Sequence, residues 1–274
     1  MKFGLGSFVY RWSIGRDYYR PSRPMTVLDF LDRTAALGVD RVMLCNNFAL
    51  EAFTEPEVTT LKERAALHRI TLELGGRGSQ ADCFIRLVGL CERLDARVLR
   101  ITADIDRRQG ADAIRRQPDD MRRYLCRVLA EAKPRGIRLA LENYHGITLD
   151  ELVAVIQAIN DATFGACIDT ANSAALIEHP LEVTRRLAPY AVSVHIKDFK
   201  VEMSERGHRI LGVPLGEGMV DFPQVLAILR QQGYTGNLFA EMYLDRTEDE
   251  ASTLAFEDEC VRRCVRYARE VLKL

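Results

Sequence analysis

Arg138–Asp169 reads RLALENYHGITLDELVAVIQAINDATFGACID, and the choice of fold turns on it. Arg138–Glu142 and Gly165–Asp169 are short apolar runs, as expected of strands buried on both faces. Between them Thr148-Leu-Asp-Glu151 has the form of a capping box opening an amphipathic segment. The stretch is therefore a strand, a helix and a strand. Working outward, the same unit recurs along the chain. Further strand candidates are Phe3–Tyr10, Arg41–Cys45, Thr71–Leu74, Val98–Thr102, Val192–Lys197 and Leu238–Met242. Thr26 can cap a helix ending before Gly38, and Asp221 one with Pro223 in its first turn and Gly233 after its end. Eight alternations without a linker or composition break predict one domain, residues 1–274, folded as an α/β (β/α)8 TIM barrel. An open doubly wound sheet usually has about five or six strands and fits less well.

Composition agrees. The 274 residues lie near the roughly 250 of a single barrel, and 47% are hydrophobic, enough for a large core. A net charge of −1 argues against a nucleic-acid partner. The basic run from Arg107 to Arg127 interleaves with Met121, Leu125 and Val128 at helical spacing, which reads as a solvated helix face. The seven cysteines include no CxxC pair, and Cys260 and Cys264 lack partners for a zinc site. Reduced thiols, no signal peptide and no apolar run long enough for a bilayer give a cytoplasmic expectation, with no membrane partner. No dinucleotide or phosphate loop is present. Gly75-Gly-Arg-Gly78 reads as a tight turn, and Phe199–Val220 as the one long irregular connection, at the catalytic end of the barrel.

The fifth to eighth strands each end in an ionisable residue: Glu142, Asp169, His195 and Glu241. If Leu139, Leu141, Ala166, Ile168, Val192, Val194, Leu238 and Ala240 face the outer helices, alternation turns these four toward the barrel axis. Carboxylates crowded in a barrel mouth are disfavoured by desolvation and mutual repulsion unless a cation joins them. The oxygen-rich set suits one divalent metal ion, Mn²⁺, Mg²⁺ or Co²⁺ ahead of Zn²⁺.

Glu142-Asn143, Asp169-Thr-Ala-Asn172, His195-Ile-Lys-Asp198, Gly216-Glu-Gly218 with Asp221, and Glu241 resemble the motifs of the xylose-isomerase-like sugar isomerase/epimerase superfamily over essentially the whole chain. The resemblance implies that Glu142, Asp169, His195 and Glu241 are metal ligands and that Glu142 and Glu241 are also the acid/base pair. Asn172 stands where many relatives carry a histidine that contacts a substrate oxygen. The substrate-binding candidates are Asn172, Lys197, His145, Trp12, Glu73 and Arg209, with Arg77 and Arg100 behind them. His145 can partly replace the missing histidine or serve as a structural loop residue. Lys197 is either an ion-pair partner of Asp198 or an anion binder. Trp12 can wall the pocket or serve packing alone, and Glu73, ending the third strand inward, can meet substrate hydroxyls.

Removing a proton beside a ketone leaves an enediolate, whose charge a metal ion can stabilise while two carboxylates move the proton. The leading expectation is thus a metal-dependent isomerase or epimerase of a keto sugar or sugar acid. The alternative is a lyase. Tyr10-Arg-Trp-Ser-Ile-Gly15, Pro24-Met-Thr26, Leu72-Glu-Leu-Gly-Gly-Arg77 and Asp169-Thr-Ala-Asn-Ser173 resemble the branch containing 3-oxo-isoapionate decarboxylase. A sugar-binding barrel without turnover is the third reading. The expected partner is a small sugar or sugar acid; assembly, including a homo-oligomer, is left open.

Overall fold

The computed structural model of the chain describes residues 1–15, 18–103 and 111–274, the side chains of 111–117 excepted. Arg107 of the basic run lies outside them. Eight parallel strands close into a barrel: β1 (Lys2–Gly6), β2 (Arg41–Leu44), β3 (Thr71–Gly78), β4 (Val98–Ala103), β5 (Arg138–Glu142), β6 (Phe164–Asp169), β7 (Ala191–Ile196) and, after a hairpin, β10 (Asn237–Ala240), which pairs with β7 and β1. The hairpin strands are β8 (Asp198–Ser204) and β9 (Gly207–Val213). The principal helices are α1 (Arg11–Ile14), α2 (Val27–Ala36), α3 (Glu55–Leu67), α4 (Ala81–Arg93), α5 (Ala111–Ala132), α6 (Leu149–Ile159), α7 (Pro180–Leu187), α8 (Phe222–Gln231) and α9 (Glu250–Glu270).

The local signals act as read. Thr26, Thr148 and Asp221 each accept a backbone N–H from the first turn of α2, α6 and α8, and Gly38 and Gly233 take up positive φ beyond α2 and α8. On α5, Met121, Leu125 and Val128 are buried while Arg122, Arg123 and Arg127 face solvent. Leu139, Leu141, Ala166, Ile168, Val194, Leu238 and Ala240 belong to the apolar layer shared with the helices.

Five expectations need correction. β1 stops at Gly6, because the chain turns into a 3-10 segment (Ser7–Tyr10) and then α1, where Glu257 of α9 accepts the N–H groups of Trp12 (2.7 Å) and Ser13 (2.9 Å). Gly75-Gly-Arg-Gly78 is not a turn but the end of β3. A Cβ on Gly75 would lie 2.8 Å from the Arg100 guanidinium and one on Gly76 2.3 Å from Leu87, so only glycines let the strand continue between them. β7 ends at Ile196, one residue before Lys197. Val192 does not face the helices. The register between β6 and β7 shifts at Ala166/Cys167, and the bulge turns Val192 inward against Val98, Ala140 and Cys167. Much of the 199–220 connection is the hairpin, pairing Asp198–Ser204 with Gly207–Val213.

Glu73 also sits differently from the expectation. It points inward, but β3 runs five residues past it. Its carboxylate is hydrogen-bonded below the mouth, by Asn237 Nδ2 at 2.6 Å and Ser193 Oγ at 3.1 Å. Burial pushes its pKa up to about 6, against the two hydrogen bonds. The folded protein thus keeps a proton that the unfolded chain releases between pH 4.5 and 6. Stability should fall by about 2 kcal/mol as pH rises across that window. Glu73→Gln, which can keep both hydrogen bonds, is expected to flatten this slope in denaturant unfolding at pH 5 and pH 8; an unchanged slope would assign the pH dependence elsewhere.

Candidate active site

At the C-terminal ends of β5, β6 and β7 and just past β10, alternation turns Glu142, Asp169, His195 and Glu241 inward. All four are buried, and one donor atom from each lies within 4.8 Å of the others. His195 Nδ1 is the hub, 2.9 Å from Glu142 Oε1, 3.5 Å from Glu241 Oε1 and 3.8 Å from Asp169 Oδ2.

Each acid is held through one oxygen by the surrounding protein and turns the other toward His195. Asp169 Oδ1 accepts the backbone N–H groups of Ala171 (2.8 Å) and Asn172 (2.9 Å), leaving Oδ2 toward the cluster. Asn143 clamps the Asp169 backbone from both sides, accepting its N–H and donating to its C=O. Glu142 Oε2 accepts from Thr102 Oγ1 (2.5 Å) and lies 3.8 Å from the Arg100 guanidinium. Glu241 Oε2 lies 3.2 Å from Lys197 Nζ, which also donates to Asp169 Oδ2 at 2.7 Å.

The electrostatics follow. Burial works against the charged form of every group here. At Glu142 it is outweighed by Arg100, His195 and Lys197, and at Glu241 by His195 and Lys197, so both carboxyls sit below the usual range. Asp169 is pushed up by burial despite Lys197. His195 is raised by Cys167, Glu241 and Glu142, and Lys197 by Asp169 and Glu241, against the burial that would neutralise both. Three carboxylates are thus balanced within the chain by Arg100, Lys197 and an imidazole biased toward its charged form.

Above the cluster opens a small pocket lined by Phe8, Asn46, Arg77, Arg100, Thr102, Glu142, Tyr144, Asn172, Lys197, Glu241 and Tyr243. Asn172 and Lys197 are on this wall, 3.3 Å apart. Lys197 is not the partner of Asp198: that carboxylate turns away and accepts the N–H groups of Phe199, Gly216, Gly218 and Val220, organising the segment after the hairpin. Trp12, His145 and Arg209 do not line the pocket. Trp12 donates to the Leu244 carbonyl (2.9 Å) and packs on the Arg11 guanidinium, which also lies over the Tyr243 ring; it backs the pocket wall without forming it. His145 is exposed beside Tyr144, and Arg209 pairs with Asp245 on the exposed hairpin. Sequence reasoning missed Tyr144 and Tyr243. Each lies two residues after an inward glutamate, so the same alternation could have found them. Phe8 and Asn46 carry no such signal, since they enter from the segments after β1 and β2.

The profile of xylose isomerase-like TIM barrels matches residues 31–260. The chain belongs to this family. Within the xylose isomerase-like barrels, it is 30% identical to the 3-oxo-isoapionate decarboxylase of Pectobacterium atrosepticum over 270 residues, 97% of this chain and 94% of that one. Among solved structures, D-psicose 3-epimerase with D-tagatose from Clostridium cellulolyticum H10 superposes with a TM-score of 0.76 at 17% identity, covering 99% of each chain. The IOLI protein with a bound zinc atom does so with a TM-score of 0.76 at 13% identity, over 100% of this chain and 98% of that one. These structural likenesses establish the fold. In this xylose isomerase-like barrel, no helix among the described residues is long and apolar enough to cross a membrane.

Proposed function

We propose that this protein is a divalent-metal-dependent decarboxylase of a 3-oxo sugar acid, with Glu142, Asp169, His195 and Glu241 as the metal ligands. The observation that carries it is the convergence of those four donors beneath a pocket that also presents Lys197 and Arg77. The whole-length similarity to 3-oxo-isoapionate decarboxylase supports this choice of reaction. The donor set fits a metal: three carboxylates and one imidazole, each held on its far side by the protein's own hydrogen bonds or packing, suit Mn²⁺, Mg²⁺ or Co²⁺ and admit Zn²⁺. The zinc-bound relative of the same fold keeps Zn²⁺ among the choices.

The ion, when bound, would draw electron density from the substrate's carbonyl and adjacent hydroxyl oxygens. The residues supply the rest. The bond between the carboxyl carbon and its neighbour breaks, CO₂ leaves, and the electron pair passes to the adjacent carbonyl, giving an enediolate of the substrate. Glu241, beside Lys197, is placed to relay a proton from solvent to the carbon that lost CO₂. Glu142, held by Thr102 and Arg100, stays ionised and oriented. Tyr144 and Tyr243 wall the pocket.

A second reading, epimerisation of a keto sugar, has its own support: both glutamates are present at the cluster, and the fold matches that of D-psicose 3-epimerase. There Glu142 and Glu241 would remove and return the proton. The same two carboxylates argue against a sugar-binding barrel without turnover. A panel of 3-oxo sugar acids and keto sugars, followed by NMR in deuterated buffer, separates these. Release of CO₂ with one deuteron entering the product is expected. Deuterium exchange without CO₂ release would transfer the assignment to the epimerase, and neither signal would remove both.

A further inference from the structure

Below the four ligands the barrel interior turns to sulfur. Cys167 precedes Asp169 by two residues on β6, so alternation turns both toward the barrel axis, with Cys167 one layer lower. Its Sγ, one oxygen of Glu142 and one ring nitrogen of His195 all lie within 4.8 Å of one another. From β2 and the residue after it, Met43 Sδ approaches His195 Nε2 to 3.1 Å and Cys45 Sγ approaches Glu241 Oε1 to 3.6 Å. Cys167 is fully buried, clustered with Val98, Ala140 and Val192, and does not line the pocket. The chemistry proposed above gives it no part.

We propose that Glu142, Cys167 and His195 form a second metal position, deeper in the barrel and softer than the first, which takes thiophilic divalent ions of the Cd²⁺ kind. The inference rests on the metal-site reading above in one respect: Glu142 and His195 belong to both positions, so only one can be filled at a time. Ligand softness separates them. Mn²⁺ and Mg²⁺ favour carboxylate oxygen, which the upper set of three acids supplies, whereas a thiolate selects soft ions. Three protein donors with one position left open are common around ions of the zinc type. As the sulfur–metal bond forms, the S–H bond breaks and its proton passes to solvent, because a coordinating thiol is deprotonated outright. The thiolate and the Glu142 carboxylate then carry between them the charge of one divalent ion, which suits a layer closed to water.

Cd²⁺ titration of the chelator-stripped full chain under reducing conditions, followed by the near-ultraviolet thiolate-to-metal absorption band, tests this. Wild type is expected to develop the band to one equivalent and, when preloaded, to release Mn²⁺ one for one. Cys167→Ser should lose the band and weaken Cd²⁺ by about a hundredfold or more while holding Mn²⁺ within about threefold. Asp169→Ala should do the reverse, losing Mn²⁺ and keeping the band. Retention of Mn²⁺ shows that Cys167→Ser is folded, and Cys167→Ala repeats the comparison without placing a hydroxyl among apolar neighbours. No band in wild type, a band that survives both Cys167 variants or disappears in Cys45→Ser, or Cd²⁺ and Mn²⁺ held together would each overturn the inference. A Cys167-dependent band in a protein that binds no Mn²⁺ would instead sink the upper metal site and leave the lower one standing.

Discussion

Glu241→Gln is expected to lower kcat by about three orders of magnitude while the protein still folds and still takes up metal. The substitution is nearly isosteric. Its amide oxygen can remain a ligand, and Lys197 keeps Asp169 at 2.7 Å, so no buried cation is stranded. What disappears is the capacity to carry a proton at the only acid of the cluster that Lys197 and the His195 imidazole flank together with the Cys45 thiol, 3.6 Å away. Single-turnover assay with the acid substrate, alongside metal content and melting temperature, makes the comparison. Turnover within about tenfold of wild type would take Glu241 out of proton transfer and leave it a ligand only. A loss of metal in parallel with activity would mean the same.

The second large effect concerns the ion. Chelator-stripped protein should bind one equivalent of Mn²⁺, Co²⁺ or Zn²⁺. An ion present at about a thousand times its Kd adds about 4 kcal/mol, which for a chain of this size raises Tm by about 10 °C. Ligation requires neutral imidazole, and His195 is held toward its charged form by Cys167, Glu241 and Glu142. Uptake should therefore release a proton and weaken as pH falls, which titration in buffers of different ionisation enthalpy detects. Asp169→Ala should weaken binding by about a hundredfold or more, since even loss of an outer partner commonly costs about ten- to a hundredfold. Failure of all three metals to bind stoichiometrically, or a Tm indifferent to them, would remove the metal reading and with it the proposed chemistry.

The comparison of sequence with structure is instructive at particular residues. Thr26, Thr148 and Asp221 could be read directly because a cap is made within one turn of its own residue. The cluster was legible for a related reason: a strand alternates with period two, and Glu142, Asp169, His195 and Glu241 each continue that alternation at a strand end. Local pattern fails where the chain must stop or shift. Nothing local says that β3 continues to Gly78, because the reason lies in Arg100 of the next strand and Leu87 of α4. Glu73 was consequently placed at the mouth when it belongs to the layer beneath. Val192 faces inward because two residues of β7 share one position opposite β6. Trp12 looked like a pocket wall because it follows β1, but Glu257, some 245 residues later, holds that segment so that Phe8 and Tyr243 line the pocket instead.

The sequence by itself determined the eight-fold alternation, the caps that set its helices and the four donors that end its later strands. Those depend on hydrophobic period and on contacts within a turn. The tertiary structure alone decided which cations neutralise those donors. Whether Lys197 meets Asp198 or Asp169 depends on side chains that barrel closure brings together from distant strands. The spacing of residues along one strand carries no record of those distances.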